Sequence, residues 1–186
     1  MKKMALLMIV GIFGVLSGCA TVPMASLNDD VTAKKFQVAS GRSAIYLYRN
    51  EGFASAVRIS VSIDDQMAGQ TAPFTYFLWD VAPGHHIIKS HAEDVSSLDL
   101  VALPGKPHFI RQEIKTGMWA PRSILYEVND SDGRTAINEC KMAKSNVDHL
   151  DKTPDSKGDT VEVEKLRLQL EIEKTKLEQE KMKKQN

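Results

Sequence analysis

The sequence has 186 residues, 42% of them hydrophobic, and its 24 Lys and Arg residues balance 24 Asp and Glu residues. This lack of a basic surplus argues against a nucleic acid or an anionic membrane surface as the partner, because both bind clustered positive charge.

The first 18 residues are predicted to be an export signal. Lys2 and Lys3 form a positive start, residues 4–16 form an apolar stretch, and two small residues precede Cys19. The apolar stretch has 13 residues, whereas a helix needs about 20 to cross a bilayer core. A permanent transmembrane helix is therefore not expected here.

The residues Leu16-Ser17-Gly18-Cys19 resemble the bacterial lipobox, Leu-[Ala/Ser]-[Gly/Ala]-Cys, at every position. In lipoproteins with this motif the cysteine thiol takes a diacylglycerol, the signal is cleaved before the cysteine, and the new amine is acylated. The resemblance implies that Cys19 is a lipid anchor, because several acyl chains bind a membrane stably. An ordinary secretory signal with a chance cysteine is the alternative.

The residue after the cysteine is Ala20, not the Asp that marks inner-membrane retention in Gram-negative lipoproteins. By this resemblance the protein is expected at the periplasmic face of the outer membrane, with a cell-surface location as the alternative. The mature chain would have 168 residues, with 22 basic against 24 acidic ones. Cys140 would be its only free cysteine, which excludes an intramolecular disulfide. We expect Cys140 to be buried, with an intermolecular disulfide as the alternative.

Residues 19–40 lack sustained periodicity and are expected to be a tether. From Gly41 the apolar residues recur with period two, and a domain of short strands is predicted over residues 41–145. The predicted strands cover residues 43–49, 57–63, 74–81, 85–92, 97–103, 108–115 and 122–128.

The strand at 43–49 has apolar residues on both faces and is expected at the centre of a sheet. Strands at hairpin spacing without intervening helices indicate a mainly β fold, an antiparallel β-sandwich or barrel, and the sandwich is the fold expected here. A parallel sheet is not expected, since parallel neighbours need crossovers of a dozen or more residues.

The C-terminal quarter of the sequence changes character. A short closing helix is predicted over 134–145, a polar linker over 146–159, and a charged α-helical tail over 160–186. The tail presents Leu166, Leu170 and Leu177 at partial heptad spacing. These leucines are candidates for contact with an envelope protein or a second copy, and a solvated helix held by Glu–Lys pairs is the alternative.

Three motifs of the predicted domain resemble the domain of unknown function 2846 family of bacterial lipoproteins. The matching residues are Gly41, Ile45, Tyr46, Tyr48 and Arg49, then Pro83, Gly84 and His86, then Gly105, Lys106 and Phe109. The similarity covers about residues 41–143. It implies a β-sandwich lipoprotein, comparable to prealbumin-like or immunoglobulin-like modules, and it carries over no catalytic residue.

The histidines give little sign of a metal site. His85 and His91 share a strand face but lie about 20 Å apart at ~3.3 Å per residue, too far for one metal ion. His86 points to the opposite face. These imidazoles are expected at the surface or at strand ends, and a site that brings in His108 is the alternative.

The segment 128–139 partly resembles a calcium-binding loop. Asp130, Asp132 and Glu139 occupy positions 3, 5 and 12 of that pattern, but Val128 at position 1 has no side-chain oxygen. A turn leading into a helix explains the same residues, so they are weak metal candidates and no cofactor is predicted.

The aromatic residues of the third predicted strand are Phe74, Tyr76, Phe77 and Trp79, and they are expected in the core, with a ligand groove as the alternative. Trp119 lies in a predicted loop and is the candidate for a partner contact. The sequence contains no Gly-x-Ser-x-Gly, phosphate-binding loop or Cys-x-x-Cys motif, so an enzyme is not expected.

The function expected is a membrane-anchored binding or envelope-scaffolding module. A carrier or enzyme with an aromatic-lined pocket or a cation near Asp130 and Asp132 is the alternative.

Overall fold

The structure is a computed structural model that describes residues 20–151 and seven residues of the tail. Those seven are helical and exposed: Lys165, Leu168, Gln169, Ile172, Thr175, Lys176 and Gln179. The predicted signal, Cys19 and the three candidate leucines Leu166, Leu170 and Leu177 lie outside the described residues. No helix in the described part of the chain is long and apolar enough to cross a membrane.

The described residues form a mainly β fold with two helices. In chain order the elements are α1 (Leu27–Ala33), β1 (Ser43–Arg49), β2 (Ile59–Ile63), β3 (Gln66–Thr71), β4 (Thr75–Val81), β5 (Gly84–His91), β6 (Val95–Ala102), β7 (Pro107–Lys115), β8 (Arg122–Val128), α2 (Asp130–Glu139), β9 (Lys141–Met142) and β10 (His149–Leu150).

The strands form two facing sheets. A six-stranded sheet has the order β10-β4-β1-β7-β8, with β9 also pairing with β4, and a four-stranded sheet has the order β3-β2-β5-β6. The main core lies between the two sheets, where Ile45 and Trp79 of the larger sheet join Val61 and Ile88 of the smaller one in a single buried cluster. The prediction of a mainly β fold is confirmed.

Strand β1 lies at the centre of the larger sheet and is buried along its whole length, as its two apolar faces predicted. Ile45 and Leu47 face the core between the sheets. Tyr46 and Tyr48 face a second apolar cluster, which includes Ile137 of α2. The two helices therefore form a third layer on the outer face of the larger sheet.

The larger sheet is mixed, so the prediction of an antiparallel sandwich was wrong for this sheet. β7 pairs with β1 in parallel, with Tyr46 opposite Phe109, and β9 and β10 each pair with β4 in parallel. The expectation rested on the short spacing between consecutive strands. It failed because β1 and β7 are remote in sequence, and the whole four-stranded sheet lies in the connection between them.

The N-terminal segment expected to be a tether is part of the folded domain. Val22 is buried in the main core, and α1 begins after Ser26, whose side chain accepts a hydrogen bond from the N–H of Asp29. At the other boundary, residues 146–151 of the predicted linker include β10, and its Leu150 is also buried in the main core.

The predicted closing helix is present but lies earlier in the sequence. The helix α2 covers Asp130–Glu139, because Asn129 caps it by accepting a hydrogen bond from the N–H of Asp132 at 2.9 Å. Gly133 is buried against Phe109 at a distance that leaves no room for a Cβ atom. This contact seats α2 on the larger sheet.

The strands run between two ends of the domain. One end carries the connections at 50–58, 72–74, 92–94 and 116–121, and we call it the loop end. The other carries the connections at 64–65, 82–83 and 103–106, none longer than four residues, and we call it the turn end.

Candidate functional site

The loop after β1 is held by a buried arginine. The Arg49 side chain is completely buried and donates hydrogen bonds to the carbonyl oxygens of Val57 at 2.8 Å, Phe53 at 2.6 Å and Ala54 at 3.0 Å. Burial lowers the pKa of the Arg49 guanidinium, because desolvation penalises its charge, while the nearby Glu51 opposes this shift. One side chain thus fixes three points of this loop.

The same loop receives the N-terminal end of the described chain. The N–H of Ala20 donates to the carbonyl oxygen of Ser55 at 3.0 Å, and Val22 is buried two residues later. Residue 20 is therefore fixed at the loop end, directly beside the position of Cys19 in the sequence.

Trp119 lies in a loop, as predicted, and extends into solvent. Its exposed fraction is 89%, and that of the neighbouring Met118 is 83%. The Glu93 carboxylate accepts hydrogen bonds from the backbone N–H groups of Met118 at 3.0 Å and Trp119 at 3.2 Å, and the Glu93 N–H donates to Pro121. The backbone of this loop is fixed while its two large side chains touch little else.

Two phenylalanines add to the exposed apolar surface of the loop end. Phe53 is 51% exposed and Phe74 is 47% exposed. The Phe74 ring lies beside Gly52, since a Cβ atom added there would be 3.9 Å from Phe74 Cε2. The connections at 50–58 and 72–74 therefore meet at the loop end, and each presents an exposed phenylalanine there.

A groove of about 990 Å³ lies on the helical side of the larger sheet. One wall is formed by α1 and residues 37–39, and the other by β4 and residues 142–149. Its polar walls include Asp29, Asp80, Asp148 and His149. Asp80 is engaged, because its carboxylate accepts hydrogen bonds from Arg42 at 2.8 Å and lies 3.2 Å from His149 Nδ1.

Comparison with known proteins places the sequence in a family. A family model described as a protein of unknown function (DUF2846) matches residues 39–123. An uncharacterized protein of Haemophilus influenzae (strain ATCC 51907 / DSM 11121 / KW20 / Rd) is 37% identical over 139 residues, which is 74% of this chain and 83% of that protein. The chain belongs to the DUF2846 family. No solved structure matches it significantly.

The DUF2846 match contains the main parts of the loop end. It extends from before β1 to the start of β8, and so includes Arg49, Phe53, Phe74, Glu93 and Trp119. Helix α2 and the groove wall at β10 lie beyond the matched residues.

The weak metal candidates do not converge. Asp130, Asp132 and Glu139 all lie in α2. Asp130 forms an ion pair with Arg134 at 2.7 Å, and Asp132 accepts a hydrogen bond from the Asn129 amide at 2.8 Å. The described residues contain no group of three His, Cys, Asp or Glu side chains that could hold a metal ion.

The histidines have separate partners and do not share a site. His86 is completely buried, with Nδ1 at 2.6 Å from Asp64 and Nε2 at 2.7 Å from the carbonyl oxygen of Ala82. His108 lies 2.7 Å from Glu127, and this hydrogen bond lowers the pKa of the Glu127 carboxyl against the opposing effect of burial. The expectation of a surface imidazole was wrong for His86, because its Asp64 partner makes burial tolerable, as Glu127 does for the buried His108.

Most of the candidate aromatic residues are core residues, as expected. Tyr76, Phe77 and Trp79 are completely buried, whereas Phe74 is exposed at the loop end. Cys140 is also buried, as predicted, and burial raises the pKa of its thiol to about 12.

Sequence reasoning missed the residues that hold the loop end. Arg49 was recognised as part of a motif, but its position at the end of a strand gave no sign of burial. Glu93 lies in a short polar connection and contacts backbone groups 25 residues away, which no local pattern reveals. Phe53 follows a glycine in a segment without periodicity, and that isolated aromatic residue was the available signal.

Proposed function

We propose that this protein is a lipoprotein anchored through Cys19 to the periplasmic face of the outer membrane, with its two-sheet domain as a non-catalytic binding or envelope-scaffolding module. The lipobox-like sequence supports the anchor. The observation that carries the proposal is the position of Ala20, which is hydrogen-bonded to the folded domain one residue after Cys19. A lipid on Cys19 would therefore hold the domain itself at the membrane.

The comparison with prealbumin-like and immunoglobulin-like modules belongs to this proposal. Two facing sheets with loops at one end are suited to presenting contact surfaces on a rigid frame. Trp119 is the contact residue best supported by geometry, since its loop is fixed while its ring is free of neighbouring contacts.

The helical tail is the proposed partner-binding or self-associating element, through Leu166, Leu170 and Leu177. Leu168 and Ile172 of the tail are more than half exposed, which supports a helix with apolar side chains available to a partner.

The attachment is tested by labelling cells with radioactive palmitate and by mass spectrometry of the purified protein. The full chain should incorporate label and show acylation at residue 19, and Cys19→Ser should lose both. Cys140→Ser is the matched control, because it removes the other cysteine and should keep the label. An unmodified thiol at Cys19 in exported protein would overturn the proposal.

The role of the tail is tested by crosslinking and pull-down from membranes. The full chain is compared with a chain truncated after Asp159. We expect the truncated chain to lose partners that the full chain retains, and recovery of identical partners by both would contradict a tail contact.

A small-ligand carrier is the second candidate, and the groove beside α1 is the observation that favours it. Its polar wall, with Asp29, Asp148 and Lys144, suits a polar solute more than an aromatic one. Native mass spectrometry of the purified protein should then show a bound molecule, and Thr32→Trp, which fills the groove, should lose it. Thr135→Trp on the exposed face of α2 is the control, and a chain that carries no small molecule under native conditions would contradict this second function.

A further inference from the structure

We propose that the loop end of the domain rests on the membrane to which Cys19 is attached, with Trp119, Met118, Phe53 and Phe74 in contact with lipid. This inference builds on the lipid attachment proposed above and adds an orientation and a lipid-contacting surface.

Sheet topology places the four side chains at one end of the domain. β1 and β7 are parallel neighbours and therefore finish at the same end, while β4 and β8 are antiparallel to them and begin there. Phe53 follows β1, Phe74 precedes β4, and Met118 and Trp119 connect β7 to β8. β4 and β8, the outermost of these strands, are three strand spacings apart, about 14 Å, so one flat surface can contact all four residues.

The exposed apolar residues are unevenly distributed between the ends. Val95, which follows the connection at 92–94, is a fifth large apolar residue exposed at the loop end. Among residues 20–151 the turn end contributes two such residues: Met67, next to the connection at 64–65, and Ile87, whose carbonyl oxygen accepts a hydrogen bond from the N–H of Asp64 in that connection. A patch of large apolar side chains marks a contact surface, because water solvates it poorly.

The position of the N-terminus identifies lipid as the occupant. Ala20 is hydrogen-bonded to Ser55 in the loop that carries Phe53, and consecutive Cα atoms are about 3.8 Å apart. An acylated Cys19 would therefore place the bilayer surface beside this loop. The turn end lies the length of β1 away, about 23 Å for seven residues at ~3.3 Å each, and a one-residue connection leaves no slack to reverse the domain.

The chemistry of the patch suits the region between headgroups and acyl chains. Tryptophan is enriched there because its ring is apolar and its N–H can bond to a polar partner. Two of the nearby cations already have carboxylate partners, with Lys115 at 2.6 Å from Glu113 and Arg122 at 2.6 Å from Asp94, while Arg58 in the connection at 50–58 is exposed. Contact should therefore depend mainly on burial of apolar side chains, with a smaller contribution from the charge of the lipid.

The fixed loop backbone supports the same conclusion. Arg49 and Glu93 hold the loops that carry Phe53, Met118 and Trp119 through hydrogen bonds to backbone groups, so the backbone of these three residues needs little ordering when they meet the membrane. Rigid presentation lowers the entropic cost of contact.

The test uses the full-length, processed protein in vesicles of phosphatidylethanolamine and phosphatidylglycerol, with and without brominated acyl chains that quench tryptophan fluorescence on contact. The chain has two tryptophans, and Trp79 is buried between the sheets. We expect brominated vesicles to remove about half of the emission, because only one of the two indoles would reach the acyl chains. Trp119→Phe should abolish this loss.

A moved reporter provides the matched control. In Trp119→Phe combined with Met67→Trp, the exposed indole is transferred to the turn end, and we expect no quenching by brominated lipid. Equal quenching at positions 67 and 119, or an unquenched Trp119 in the acylated protein, would overturn the proposed orientation. In the second case a protein partner would be the occupant of the patch.

Mass spectrometry of the same samples separates this inference from the proposed function. Acylated Cys19 with unquenched Trp119 means that the orientation is wrong while the attachment stands. If Cys19 is unmodified, the attachment fails, and the protein is added to brominated vesicles from outside. Quenching of Trp119 would then still support contact between the loop end and lipid. An absence of quenching would overturn both proposals.

Discussion

The two ends of the domain are stabilised by different chemistry. At the turn end, carboxylates pair with imidazoles across neighbouring segments: Asp64 with His86, Glu127 with His108, Asp99 with His85, and Asp80 with His149. At the loop end, Arg49 and Glu93 instead bind backbone carbonyl and N–H groups of the loops. The turn end is thus closed by side-chain pairs, while the loop end has an ordered backbone and leaves its large apolar side chains exposed.

The turn end therefore serves mainly the stability of the fold, whereas the loop end is suited to contact with another surface. The turn end uses its polar side chains on one another and on the backbone of its own connections, and it offers few apolar residues to a partner. The loop end gains its order from charged residues that bind backbone, chiefly Arg49 and Glu93, so that Trp119 and Phe53 are available for contact. An end that presents apolar side chains needs a rigid backbone, because a mobile one would let those side chains collapse onto the domain.

The largest expected effect is at the loop end. Arg49→Met should lower the free energy of unfolding by about 2–4 kcal/mol, since three carbonyl oxygens lose a charged donor. Hydrogen exchange at Ala20 should also accelerate, because the loop that holds it is released. Chemical denaturation and exchange measure the two effects.

The exposed Arg58, close to the same loop, provides the control. Arg58→Met should change the unfolding free energy by less than about 0.5 kcal/mol. A loss below about 1 kcal/mol in Arg49→Met would show that the loop keeps its structure without the guanidinium.

The next effect is at the turn end. Asp64→Ala should cost about 2 kcal/mol, because it leaves the buried His86 ring without its carboxylate partner. Asp65→Ala is a matched control, since both residues have positive φ and share the backbone strain of the substitution. Asp65 is exposed and pairs only with Lys89, so its loss should be smaller. Equal losses in the two variants, measured by denaturation, would mean that the buried pair contributes nothing specific.

A smaller effect at the turn end depends on pH. Hydrogen bonding to His108 lowers the pKa of Glu127 below 4.5 in the folded protein, so its contribution to stability is full above the unfolded value and is lost as pH falls through the folded value. Glu127→Gln should therefore cost up to about 1 kcal/mol at pH 7, since water screens this half-exposed group. The difference from the wild type should shrink as the pH falls and vanish once the Glu127 carboxyl is protonated in the folded protein, and a difference that does not change with pH would contradict this cause.

The smallest effect on stability is expected for the exposed residues themselves. Met118→Ser combined with Trp119→Ser should change the unfolding free energy by less than about 0.5 kcal/mol, because these side chains bury almost nothing in the isolated domain. Thermal unfolding measures this change. A larger loss would show that the two residues serve the fold, and would weaken their assignment to a contact surface.

The elements that were predictable are those whose burial follows a simple period. β1 was expected to be central because both of its faces are apolar, and it is. β3 was missed because Gln66–Thr71 is polar and poor in β-branched residues, and its strand geometry comes from pairing with β2. Such residues adopt the strand through tertiary contacts that override local preference.

The remaining differences come from contacts between remote residues. α1 is short, and Asp30 fixes it by accepting hydrogen bonds from Lys34, Tyr76 and the N–H of Met142. Burial works against ionisation of Asp30, but these hydrogen bonds prevail and lower its pKa. The parallel pairing of β1 with β7 likewise joins remote segments. The Arg49 contacts are local, since they reach carbonyl groups four to eight residues further on, but they lie in a loop that has no periodicity to reveal them.

The chain enters and leaves the domain at opposite ends. Ala20 is held at the loop end, whereas Asp151 follows β10 at the turn end, where its carboxylate pairs with Arg42. In the proposed arrangement, a force between the membrane anchor and a partner bound to the tail would therefore act along the strands and load their hydrogen bonds in shear. β10 has two residues, so this short strand and the Arg42 ion pair would separate first. The central strands would bear force only after these two contacts had broken.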